Sequence, residues 1–216
     1  MNLKRYQIDD FDMRRDILIA MKIVIATNNK HKLAEYKALF LHSRIEVLSM
    51  QEAGISADAD EIGTSYEENA IIKAQSIQHL TNNLVIADDS GLEIASLNNF
   101  PGLISARFAS EHGGNTQAND EILNRMKGVK DRSAKFIAVI ALINYKTEPI
   151  VFRGECPGMI LNCPQGSDGF GYDPIFYSIE AKSGFAVLSK SEKNRYSHRG
   201  KAVSKLLSFL KAEKLI

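Results

Sequence analysis

The hydrophobic pattern of this chain switches between two periods. Ile23, Val24, Ile25 and Ala26 form a continuous apolar run, which predicts a buried strand over 22–27. Leu33, Tyr36, Leu39 and Phe40 then recur at helical spacing and predict an amphipathic helix over about 29–41. A short strand follows at 45–48, and a helix over about 65–80. The start of that helix, Thr64-Ser65-Tyr66-Glu67-Glu68, offers two overlapping capping boxes, Thr64/Glu67 and Ser65/Glu68. A strand at 84–88 ends in the turn-forming residues "DDSGL". A helix over 115–127 stops at Gly128. Two β-rich runs, 134–144 and 149–155, read as a hairpin. A glycine-rich loop spans 166–173, and a last helix covers about 199–213. Strands and helices are interspersed throughout, so the expected class is α/β with a mixed sheet.

Composition narrows the partners more than the fold. The chain has 216 residues, 44% hydrophobic and 25% charged, enough for one domain with a real core and room for two lobes. Its net charge of +1 gives no global case for nucleic acid or a membrane surface, so any anion site must be local. The longest uncharged apolar run, Phe136–Ile143, is too short to span a bilayer. Cys156 and Cys163 are too few for a disulfide framework and lack neighbours for zinc, so they read as free thiols in a reducing cytoplasm. Residues 1–20 mix Lys4, Arg5, Arg14 and Arg15 with Asp9, Asp10, Asp12 and Asp16. That matches neither a signal nor a transit peptide, and the segment reads as an extension before a domain over 21–216.

Several stretches could carry chemistry. The helix at 29–41 begins with Lys30, His31 and Lys32, where the helix dipole favours anions. Thr27 and Asn29 add side-chain donors, so a bound phosphate would account for the cluster; a solvated Lys-rich turn is the bland alternative. Asp88 and Asp89 at a strand end repel one another unless a cation such as Mg²⁺ holds them; the alternative is an Asx turn. In the acidic loop before the next helix, Glu61 is the better candidate for a second metal ligand, while Glu68 and Asn69 read as capping and surface residues. In "GSDGFGYDPIF", three glycines permit close backbone approach, and Phe170 and Tyr172 supply faces for a base; a glycine-rich turn over core aromatics is the alternative. "SEKNRYSHRGKA" places Lys193, Arg195, His198, Arg199 and Lys201 around the start of the last helix. Together these features describe a site for a nucleoside triphosphate with Mg²⁺.

The motifs Thr27-x-Asn29-x-x-Lys32, "YEENAIIKA", "ADDSGL", "PGLISARF", "GFGYDPIF" and "SHRGKA" occur in order over roughly 21–213. In this the chain resembles the ITP/XTP pyrophosphatase family. The resemblance implies a mixed, elongated central sheet in two lobes with flanking helices, a cleft between the lobes, and a cytoplasmic homodimer. It implies cleavage of ITP, dITP or XTP to the monophosphate and pyrophosphate. Thr27, Asn28, Asn29, Lys30, His31 and Lys32 would bind the triphosphate. Asp89 would accept a proton and, with Glu61, hold Mg²⁺. Ser90 would touch substrate; Phe170, Gly171, Tyr172, Asp173, Lys193, His198 and Arg199 would hold the base and neighbouring groups. Donors from His198 and Arg199 would favour a 6-carbonyl base over adenine. Asn28 stands where the family commonly has glycine, and residues 1–20 have no counterpart. A pyrophosphatase for pyrimidine or other modified nucleotides remains open. So does a nucleotide-binding regulator without turnover, though Asp89 and Glu61 argue against it.

Overall fold

The computed structural model describes residues 21–57 and 62–216. Residues 1–20 and the expected metal ligand Glu61 lie outside the described residues. The elements run β1 (Met21–Ile25), α1 (Lys30–Phe40), β2 (Ile45–Ser49), α2 (Tyr66–Gln75), β3 (Leu84–Ile94), β4 (Phe100–Pro101), α3 (Ser105–Glu111) and α4 (Asn115–Arg125). They continue with β5 (Ser133–Ile143), β6 (Ile150–Ile160), β7 (Phe176–Ser178), β8 (Ser183–Gly184), α5 (Lys190–Tyr196) and α6 (His198–Ala212).

The strands form one eight-stranded sheet in the order β2-β1-β3-β5-β6-β7-β8, with β4 paired to β3. β1 is parallel to both neighbours; the other pairings are antiparallel, so the sheet is mixed as expected. The hairpin read at 134–155 is β5–β6, with β6 extending to Ile160 because Ser133 still finds a partner in Met159. Helix 65–80 is shorter than its pattern: α2 stops at Gln75, and a separate 3₁₀ turn covers Gln78–Leu80. Its cap is Ser65, which accepts from Glu68 N, while the Glu68 carboxylate reaches back to Thr64 rather than to Ser65. Glu67 does not cap; it pairs with Arg153 at 2.9 Å.

The main departure is β3. "DDSGL" is not a turn but the middle of an eleven-residue strand. Turn propensity is local and modest. Here it is overridden by a continuous ladder to β5, from Val85↔Ile143 to Ile94↔Ala134.

Burial along β3 shows how the lobes arise. Ile86 packs with α1 and α6 on one face, and Val85 and Ala87 pack with α2 on the other. Leu92 and Ile94 belong to a separate cluster built with α3, α4 and β7. The long strands β3, β5 and β6 therefore run from one lobe into the other. Polar residues Asp88, Asp89 and Ser90 fall where the first lobe's core stops and the second begins.

Candidate active site

The cleft opens because β3 outruns its neighbour. β1 pairs with β3 only as far as Ile25↔Ile86, with Ala26 N donating to Ile86 O. β4 covers the same edge only from Glu93. Between these points the β3 edge faces a gap. Strand alternation turns the backbone of Asp88 and Ser90 toward it, and Lys73 Nζ lies 3.4 Å from Asp88 O there.

Alternation also separates the two aspartates, which do not form a paired-carboxylate site. Asp88 lies on the α1/α6 face. Lys32 Nζ is 3.1 Å from it, and Arg199 donates from Nε and Nη2 at 3.2 and 3.0 Å. Burial opposes ionisation of Asp88, but Lys32 and Arg199 outweigh it and hold the carboxyl well below its usual range. Asp89 lies on the α2 face. Lys73 Nζ donates to its Oδ1 at 2.7 Å, and Asn69 Nδ2 to its Oδ2 at 3.4 Å.

This corrects the expectation about Lys32. Its excess charge at the helix start has a resident counter-ion, the buried Asp88. Burial lowers the Lys32 ammonium's pKa, partly offset by Asp88. Asn29 also has a local structural role: its Oδ1 caps α1 by accepting from His31 N and Lys32 N at 2.9 and 3.1 Å.

Two abutting cavities occupy the cleft. The larger, about 330 Å³, is lined by His31, Asp89, Ser90, Phe136, Phe170, Gly171, Tyr172, Asp173, Lys193, His198 and Arg199. The smaller, about 210 Å³, is lined by Thr27, Asn28, Lys73 and Asp88. Asn29, Lys32 and Ala106 belong to both walls, so the cavities meet at the α1 start. Lys30 is exposed and borders neither, but with Thr27, Asn28 and Asn29 it lines an adjoining cavity of about 580 Å³.

The glycine-rich loop folds back on itself. Gly166, Gly169 and Gly171 all have positive φ. A Cβ at Gly169 would lie 2.2 Å from Asp173 Oδ2, the oxygen that accepts from Phe170 N at 2.8 Å. Gly166 and Gly169 thus shape the loop, whereas Gly171, with open space where a Cβ would stand, lines the larger cavity. Phe170 stands at the cavity wall, stacked by His31 at 5.2 Å between centroids, with Lys193 Nζ 4.9 Å from its ring. Tyr172 is more buried than expected. Its hydroxyl donates to Ser105 O at 2.7 Å, and burial raises its pKa. Asn119 Nδ2 holds Gly171 O at 3.1 Å.

The segment after β8 forms two helices rather than one. Ser189 and Glu192 make a capping box for α5, and Ser197 caps α6 through Gly200 N. Gly154 lets α6 sit directly on β6: a Cβ there would lie 2.1 Å from His198 O. His198 is buried and stacks on Phe136 at 4.8 Å; its Nδ1 has no hydrogen-bond partner among the described residues. Burial first, then Arg199 and Lys193, drive its pKa well below the ordinary imidazole value, so the ring is neutral. Arg199 borders the cavity but is buried, with its donors directed at Asp88, Glu35 and Ser90. It is not aimed at a base edge, which corrects the in-plane role expected for it.

Three residues escaped the sequence reading as site members. Lys73 lies within the "YEENAIIKA" motif, one helical turn after Asn69. Asn69 itself is buried rather than on the surface. Glu35 gave no signal beyond its place on α1.

A family model described as the Ham1 family matches residues 23–209. A Clostridium perfringens protein named dITP/XTP pyrophosphatase is 43% identical over 198 residues, covering 88% of this chain and 97% of its own. A protein of the same name from Staphylococcus aureus strain N315 is 40% identical over 193 residues, covering 89% and 98%. Among solved structures, the Staphylococcus aureus Ham1 protein superposes with a TM-score of 0.79 at 40% identity, covering 89% of this chain and 99% of its own. A HAM1 protein from Coxiella burnetii gives 0.79 at 38% identity, with the same coverage.

Proposed function

The chain belongs to the Ham1 family, and from that premise we propose that it hydrolyses nonstandard purine nucleoside triphosphates (ITP, dITP, XTP) to the nucleoside monophosphate and pyrophosphate. The observation that carries this reading is the pair of joined cavities. The larger has the aromatic wall and neutral imidazole that suit a base. The smaller has the cations that suit phosphates, and Asp89 of the larger cavity pairs with Lys73 of the smaller.

In this reading Phe170 stacks the base, and His198, in the wall of the same cavity, meets its edge. Thr27, Asn28, Asn29, Lys32 and Lys73 surround the triphosphate. Lys32 and Lys73 offset charge on the departing pyrophosphate, and they are already placed by Asp88 and Asp89. Asp89 takes a proton from the water as its oxygen bonds to the α-phosphorus; the proton stays on that carboxyl, and the bond from the α-phosphorus to the bridging oxygen breaks with its electron pair going to pyrophosphate. Positioning and electrostatics carry such a reaction, and it needs no covalent intermediate.

Mg²⁺ fits this donor set. Among the described residues no cluster of three or more metal-ligating side chains occurs. Mg²⁺, however, typically takes only one or two protein carboxylates and completes its shell with water and phosphate oxygens. Asp89 supplies such a carboxylate at the cavity wall; we propose Glu61 as a second. The bound ion would polarise phosphate oxygens.

We also propose a cytoplasmic homodimer. No helix of the described residues is long and apolar enough to cross a membrane. Free Cys156 and Cys163 suit a reducing compartment. The exposed apolar side chains Met159 and Ile179, brought near one another by the β6–β7 pairing, offer a surface for a second copy. The test of the activity is pyrophosphate and orthophosphate release from ITP, XTP and ATP, with Mg²⁺ and with EDTA. Pyrophosphate from ITP and XTP, weak turnover of ATP, and loss in EDTA are expected. Orthophosphate as the product, or equal turnover of ATP, would refute the proposal.

A further inference from the structure

Charged side chains run in a line beneath both cavities, and their signs alternate. Asp173, which accepts from Phe170 N, pairs with Lys193 at 2.6 Å. Lys193 pairs with Glu35 Oε1 at 2.7 Å. Glu35 Oε2 pairs with Arg199. Arg199 pairs with Asp88 at 3.0 Å, and Asp88 with Lys32 at 3.1 Å. The line thus begins at the wall of the base cavity and ends at a lysine of the phosphate cavity.

Among the described residues, Glu35 is the one ion-paired link between the halves of this line. Asp173 and Lys193 form one group at the base end; Arg199, Asp88 and Lys32 form another at the phosphate end. The two oxygens of Glu35 go to different groups. Glu35 also lies on α1, whose first turn carries Lys32, so a pull on Glu35 acts on the whole helix. His31 of α1 stacks on Phe170, a second tie between that helix and the base loop that does not depend on ion pairs.

We propose that Glu35 is a positioning residue that couples recognition of the base to the placement of Lys32 on the phosphates. Burial is what makes the coupling effective. A buried charge that loses its partner is costly, so a displacement at Lys193 is passed to the next pair rather than absorbed by water. A well-matched base settles Phe170, Asp173 and Lys193, and through Glu35 it sets α1 and Lys32 for reaction. A mismatched base leaves Lys32 displaced. Part of the base's binding energy is then expressed as turnover rather than affinity. This inference rests on the proposed activity at the same site.

The experiment compares kcat and KM for ITP and ATP in the wild type, Glu35→Gln and Glu35→Asp, all with Mg²⁺. Glu35→Gln removes the charge. Glu35→Asp keeps it but is too short to hold both partners, and it secures the test if Glu35→Gln does not fold. ITP already has the benefit of the coupling and ATP does not. Each variant should therefore lower kcat for ITP roughly 10-fold, a typical size for coupling between sites, while kcat/KM for ATP falls less than about 3-fold. The ITP/ATP ratio shrinks accordingly. A merely structural Glu35 would lower both substrates by the same factor, and that result overturns the inference. So does an ITP loss confined to KM. A wild type that releases no pyrophosphate from ITP overturns the proposed activity and this inference with it; an active wild type with an unchanged ratio in the variants overturns the coupling alone.

Discussion

Asp88→Asn tests whether the adjacent aspartates do different jobs. The Asp88 side chain is fully buried, between Lys32, which is 15% exposed, and Arg199, which is 2% exposed. Asparagine keeps the shape and can still accept a hydrogen bond, but it leaves both cations short of a counter-charge. Arg199 retains Glu35; Lys32 loses the acid it pairs with. Removing one partner of a buried pair typically costs about 3–5 kcal/mol, and the surviving Glu35 contact argues for about 3 kcal/mol here. In a domain of this size that lowers Tm by about 6–12 °C. The pH dependence has a definite sign. The folded-state pKa of Asp88 is depressed, so its contribution is present above the ordinary carboxylate value near ~3.9 and is lost as pH falls through the lower folded value. The variant should therefore lose stability at neutral pH and show a flatter acid limb. The assay is thermal unfolding from pH 2 to 8, beside pyrophosphate release for Asp88→Asn and Asp89→Asn. An Asp88→Asn protein with unchanged Tm but abolished turnover would refute the division, because it would make Asp88 a reacting group.

Other outcomes follow from the same geometry. Asp89→Asn should lower kcat by at least about 10²-fold with a smaller fall in Tm than Asp88→Asn; near-normal turnover would remove Asp89 from the mechanism. His198→Asn should lower kcat/KM for ITP by about 2–10-fold, the worth of one neutral hydrogen bond. Because the imidazole is held neutral, the wild-type profile between pH 5.5 and 8 should contain no inflection that disappears in this variant; one that does would show a titrating His198. Gly154→Ala should displace the start of α6, costing about 1–3 kcal/mol in urea unfolding and lowering ITP turnover as well, since His198 and Arg199 ride on that helix. Wild-type stability and activity in that variant would mean the close approach is not required.

Much of the site could be read from the chain because its signals are local. Ser65 sits where a helix needs its first N–H groups satisfied, and it caps α2 through Glu68 N. The apolar runs on either side of residues 144–149 specify a hairpin, and it forms. The larger cavity gathers residues from five of the six motifs. What could not be read was the direction of individual side chains. Asp88 and Asp89 look like a pair in sequence, yet a strand sends neighbours to opposite faces, and only the ladder to β5 makes that stretch a strand.

The sequence by itself determined the order and type of the principal elements, the cap of α2, and the collection of polar groups that line the cleft. These depend on periodicity and on groups within a turn of one another. Only the tertiary structure decided which acid answers which cation. Lys32 meets Asp88, Lys193 meets Glu35 and Asp173, and Arg199 joins Asp88 to Glu35. Those partners come from distant segments, and their worth depends on shared burial. That burial exists only once α1, α5 and α6 close over the same face of the sheet.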